Sequence, residues 1–228
     1  MRFTLVLSGL LYISAFAASA MQPAAPAQTV RFDMEVRADF FAAFSGDMVR
    51  FERGMARCEE ELAKNPNHAE AMVWHGSGVF FRAGMAFQKG DIQNGMALYQ
   101  RGLGEMQHAV EIAPDNVGVR IPRGAVLLEA SRQMPEAQAK SLVQIGVTDF
   151  EHVLKLQESY FATLSDHAKG ELLFGLADGW ARLGEKPKAM EYFTRLTKDA
   201  SGSGRSTYAK AWLDGTPPAS TGRCVGCH

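Results

Sequence analysis

The chain has 228 residues, 24 Lys+Arg against 25 Asp+Glu, 46% apolar residues and three cysteines. A formal net charge of −1 argues against a non-specific nucleic-acid binder, which needs a basic surface to displace counterions, and the apolar share argues against disorder over most of the length. Three cysteines in a chain this long do not make a disulfide scaffold, so placement matters more than number: two of them lie in the last five residues.

The chain opens Met1-Arg2 and then runs apolar from Phe3 to Ala18. One basic residue, an apolar stretch and the small residues Ala18 and Ala20 are the layout of a secretory signal peptide over residues 1–20, with the cut expected after Ala20. The run is short, is broken by Ser8, Gly9 and Ser14, and lacks a basic flank after it, which weighs against a retained membrane anchor. Residues 21–31, rich in Ala and Pro, read as a flexible leader. No later run is long enough to span a bilayer, so the expectation is a periplasmic or otherwise exported protein with no stable membrane span after cleavage.

Residues 32–213 carry no strand alternation. Apolar residues recur at three and four instead. Leu142, Val143, Ile145, Val147, Phe150, Val153, Leu154 and Leu156 form one helical stripe, with Lys140, Gln144, Asp149 and Glu151 off it. Breakers then divide the chain. Asn65-Pro66-Asn67 ends one helix and starts the next, with Asn67 read as the N-cap and Glu70 three residues on. Lys89-Gly90-Asp91, Ala113-Pro114-Asp115-Asn116, Met134-Pro135-Glu136 and Leu183-Gly184-Glu185 are further turns. Helix, turn, helix, Asn/Asp-Pro and helix again predicts an all-α fold of stacked antiparallel helix hairpins.

From Lys169 to Ala200 the pattern becomes specific. Leu173, Leu176, Ala177 and Trp180 on one helix, Gly184 at the turn, and Ala189 and Phe193 on the next resemble a tetratricopeptide repeat. The Ala69–Pro114 unit is similar but longer, with His75-Gly76 and Gly102 at motif positions, whereas the Val119–Tyr160 pair matches poorly. The resemblance implies a right-handed superhelix whose concave face binds peptides or partner proteins.

Residues 214–228 change character. Gly215 to Gly222 read as a linker, and the chain then runs Cys224-Val225-Gly226-Cys227-His228. Cys-x-x-Cys-His is the c-type haem attachment motif. Its spacing suits Cys224 and Cys227 as thioether ligands to the two vinyl groups of one haem c, with His228 as the proximal iron ligand. An exported chain reaches the compartment where such haem is attached. By resemblance this is a monohaem cytochrome c-like tail on a repeat domain, but with no following helix, pocket or methionine. The haem is therefore expected to be exposed, docked on the repeat domain or shielded by another chain. The competing readings are a small disulfide and half of a zinc site, which lacks its other two ligands.

Any sixth ligand must come from the repeat domain. His75 is the candidate, since it stands where the repeat motif has a core leucine; the alternative reading is a core histidine bonded to a carbonyl. His68 and His167 lie near helix starts and read as exposed, and nothing ranks His108 against His152. Methionine is the alternative ligand, from the patch of Met72, Met85, Met96 and Met106, although methionine at helical spacing is more often core filler. Arg120 and Arg123, flanking Pro122, read as solvated, or as partners for haem propionates or a docked carboxylate. Cys58 reads as an inert buried thiol. No nucleophile elbow, His-Glu-x-x-His or phosphate loop is present. The expected function is electron transfer with a protein partner docked in the groove. The rivals are a non-redox periplasmic adaptor and a haem-based gas or redox sensor.

Overall fold

Turn chemistry divides the chain where the breakers stand. A computed structural model describes residues 31–218, in which nine α-helices and no strand occur. They are α1 (Asp33–Phe44), α2 (Met48–Lys64), α3 (Ala69–Gln88), α4 (Ile92–Ile112), α5 (Val117–Ala130), α6 (Glu136–Gln157), α7 (Asp166–Arg182), α8 (Lys186–Asp199) and α9 (Ser206–Leu213). All five predicted turns fall between helices. Gly90 and Gly184 take left-handed φ values of 78° and 85°, which end α3 and α7 without the steric cost that a Cβ carries there. Asp47, Asp91, Asn116 and Ser165 accept backbone N–H bonds at the starts of α2, α4, α5 and α7. The cap of α3 is His68, not Asn67: the His68 Nδ1 accepts from the Ala71 N–H at 3.2 Å.

Neighbouring helices joined by these turns pack in pairs: α1 with α2, α3 with α4, α5 with α6, and α7 with α8. The odd-numbered helices also touch in succession, α1 on α3, α3 on α5 and α5 on α7. Each even-numbered helix packs on the odd one that follows, and α8 packs on α9. Two crossings bring backbones together. A Cβ at Gly102 would sit 2.7 Å from the Phe80 nitrogen, and one at Gly76 would sit 3.0 Å from the Gly102 oxygen. Likewise a Cβ at Gly146 would sit 3.0 Å from the Gly124 oxygen. Phe150 fills the space that glycines leave open on both sides of α6, its ring lying 2.6 Å from a Cβ built at Gly124 and 2.2 Å from one built at Gly175.

The apolar interior forms two cores. The first joins α1 to α6 around Phe51, Met55, Cys58, Val73, Val79 and Met106. The second joins α5 to α9 around Leu173, Leu176, Ala177, Ala189, Phe193 and Leu196. No helix among the described residues is long and apolar enough to cross a membrane.

Candidate functional site

Cys224, Cys227 and His228 lie outside the described residues, as do the proposed signal peptide with its cut after Ala20 and all of the leader but Arg31. What the structure describes is the scaffold from which the tail departs. α9 ends at Leu213 and packs on α8, with side-chain contacts reaching α7. The Phe193 and Trp212 rings stand 4.5 Å apart, and Tyr208 meets Phe174 edge-on at 5.2 Å. Arg205 anchors the start of α9 by a two-pronged bond to Glu171 at 2.9 and 3.0 Å. The tail therefore leaves from a helix pinned at both ends.

Cys58 is fully buried in the first core, and burial pushes its thiol far above the ordinary thiol range.

His75 is 5% exposed. Its Nδ1 meets Glu105 Oε2 at 2.5 Å, and its Nε2 stands 3.7 Å from Glu59 Oε1. In place of the expected carbonyl, the Nδ1 partner of the ring is a carboxylate on α4. Burial works to raise the Glu105 carboxyl, but the bonds and charges of His75 and Arg101 outweigh it and hold the carboxyl below the usual range. The remaining histidines are placed as follows. His68 is half-buried as a cap, with its ring 5.2 Å from Phe32. His152 Nε2 meets Asp115 at 2.7 Å, and His108 faces Glu111 at 3.5 Å. His167 is exposed near the start of α7. Of the methionines read as filler, Met72 and Met106 are buried, Met85 is half-buried and Met96 is exposed.

Arg120 and Arg123 are neither solvated nor turned outward. Both grip Asp149, which is 0% exposed: Arg120 Nη1 at 2.7 Å, Arg123 Nε at 2.6 Å and Arg123 Nη2 at 2.7 Å. The remaining Arg123 Nη1 donates to Gln107 Oε1 at 2.7 Å, tying α4 into the same network. Asp149, expected off the apolar stripe, is instead inside. The same device recurs at every buried aspartate among the described residues. Asp33 is flanked by Arg31 and Arg37, Asp39 by Arg50 and Arg53, and Asp178 by Arg132 and Arg182. Both guanidinium groups bond directly to Asp39 and Asp149, whereas at Asp33 and Asp178 the second stands 3.7 and 3.8 Å off; in each case the paired positive charge makes the buried carboxylate tolerable. The Asp33 set is local, within α1 and the residue pair before it, whereas Asp39, Asp149 and Asp178 each draw a partner from outside their own helix, which no local sequence signal marks.

The chain matches no known family profile and no curated protein sequence.

Proposed function

We propose that this is an exported helical-repeat scaffold carrying one covalent haem c on Cys224 and Cys227, with His228 on the iron, and that it passes single electrons to or from a docked protein. The observation that carries the reading is the Cys224–His228 motif itself, in a chain whose only other thiol is buried and inert. The donor set fits the group: two thiols three residues apart suit the vinyl groups of one porphyrin edge, and an adjacent imidazole suits iron. In attachment each thiol adds across a vinyl group, with its hydrogen going to the neighbouring carbon, so no oxidant is consumed. A bound haem supplies one-electron exchange.

The tetratricopeptide-like reading of the scaffold is supported by the contact order of odd and even helices. It is also supported by the burial of Leu173, Leu176, Ala177, Trp180, Ala189 and Phe193 at the motif positions. On that reading α1, α3, α5 and α7 present a face to a partner protein. A signal peptide over residues 1–20 would deliver the chain to the periplasm, where attachment takes place.

The test is expression with an intact leader in a host able to mature haem c. The expected result is a red protein whose haem stain survives denaturation and is lost in Cys224→Ser/Cys227→Ser. An unstained, colourless protein from that host overturns the proposal.

A further inference from the structure

We propose that the open end of α4 is a self-association surface, on which the seam of Ile92, Met96, Tyr99 and Leu103 packs antiparallel against the same seam of a second copy of this chain.

Along α4, Ile92, Met96, Tyr99, Leu103, Met106 and Val110 recur at alternating steps of four and three, the spacing of a seam that meets another helix along its length. Small residues run down one side of that seam and pack on α3. A Cβ at Gly95 would meet the Phe87 ring at 2.6 Å, one at Gly102 would meet the Phe80 nitrogen at 2.7 Å, and Ala109 is 0% exposed. α3 therefore takes the small-residue side and leaves the seam at its edge. Only half of the seam is then covered. Met106 and Val110 are buried in the first core, Leu103 and Tyr99 are half-buried, and Met96 and Ile92 are 45% and 60% exposed. An apolar helix stripe thus runs out of the core into solvent for about three turns.

The polar flank of the seam selects its occupant. Gln93, Gln100 and Gln107 repeat at intervals of seven beside it. Where the seam is covered, the glutamine is engaged: Gln107 Oε1 accepts from Arg123 of α5 at 2.7 Å. Gln93 and Gln100 are exposed and make no side-chain hydrogen bond to the described residues. From Ile92 to Gln100 there is no charged residue, in a chain that is 21% charged. Such a flank offers a charged partner nothing to pair with. A primary amide both donates and accepts, so it pairs with its own copy across a two-fold axis, where a charge would meet its like.

Antiparallel overlap sets Ile92 against the partner's Leu103 and Met96 against the partner's Tyr99, with Gln93 beside the partner's Gln100. It also keeps the two bodies apart, because the covered half of each seam then lies at the opposite end of the overlap. The seam is short. Four side chains per copy, two of them already half-buried, are far fewer than the roughly 20–30 residues a side of a stable interface. The dimer therefore forms and dissociates with concentration instead of being permanent.

The experiment is sedimentation velocity of the full chain, expressed with its own leader, over a series from low micromolar to near-millimolar protein. The expected result for wild type is a reversible monomer–dimer equilibrium. Met96→Glu is expected to weaken it about tenfold or more, because the carboxylate would be buried against the partner's Tyr99. Met190→Glu, at a site on α8 that is 53% exposed, is the control and should leave the equilibrium unchanged. Gln93→Glu/Gln100→Lys should tighten it, since antiparallel pairing sets each new carboxylate beside the partner's new ammonium, whereas parallel pairing would oppose like charges. Circular dichroism that matches wild type excludes misfolding as the cause. A chain that stays monomeric through the series overturns the proposal. So does a dimer that Met96→Glu leaves intact, that Met190→Glu dissolves, or that Gln93→Glu/Gln100→Lys weakens.

Discussion

Asp149 on α6 accepts from both Nε and Nη2 of Arg123 on α5, at 2.6 and 2.7 Å, with neither side chain more than 8% exposed. The pair lies between helices whose backbones already touch at Gly124 and Gly146. Removing one partner strands the other charge in a dry interface. We expect Asp149→Ala to cost about 3–5 kcal/mol, because two guanidinium groups lose their counter-ion at once. Arg120→Ala should cost less, since Arg123 still saturates the carboxylate. Urea titration of the three proteins checks both the size and the order.

Two glycines on α4 should respond in opposite directions to the same substitution. A Cβ at Gly102 would press on Phe80 at 2.7 Å, whereas Gly104 is exposed and meets nothing within 4 Å. Gly102→Ala is expected to destabilise by about 1–3 kcal/mol through forced separation of α3 and α4. Gly104→Ala should stabilise by up to ~1 kcal/mol, since alanine restricts the unfolded chain and favours helix. Thermal melts of the two variants are a direct comparison.

Acid sensitivity should trace in part to Asp39. Its bond to Arg53 leads, and with Arg50 and both charges it outweighs burial to hold the carboxyl below the usual carboxylate range. A folded-state value below the unfolded one means that the unfolded chain binds more protons in that window. The stabilisation is therefore complete above about pH 4, the ordinary aspartate range, and is lost as pH falls through the folded value. Asp39→Asn should lower stability at neutral pH and flatten its decline below about pH 4. Arg50 and Arg53 are 40% and 67% exposed, so added salt should shrink the difference.

Thiol labelling should distinguish Cys58 from the tail. Burial leaves its sulfur inaccessible and its thiolate scarce. Alkylation of the native protein at pH 8 is expected to spare Cys58 for hours, with one further label per chain appearing on addition of denaturant. Mass spectrometry of the peptide containing Cys58 reads the outcome.

The helical divisions were legible because their signals are local. Gly90 and Gly184 with positive φ, and Asp91 as a cap, act within a few residues of where they stand, whereas the breaks before α2 and α7, capped by Asp47 and Ser165, were not read. The N-cap of α3 slipped by one residue because His68 was not considered as a capping acceptor, although a neutral imidazole nitrogen serves that role. The core of α7 and α8 was legible from Leu173 to Phe193 for the same periodic reason. Asp149 was not. Helical periodicity assigns a charged residue to the solvent face, and only partners on α5, 26 and 29 positions away, reverse that assignment. The same distance hid the Asp178 pairing with Arg132 and the Glu105 partner of His75.

Leu127 belongs to the first core and its neighbour Leu128 to the second, and the same division falls between Leu142 and Val143. The boundary between the two interiors therefore runs lengthwise through α5 and α6 rather than through a loop. No proteolytic nick or shortened fragment can release one interior intact, because cutting out either takes half the wall of the other. We expect the two halves to melt as one cooperative unit. A recombination that lengthens or shortens the stack by a hairpin must then replace this shared wall instead of inserting at a seam.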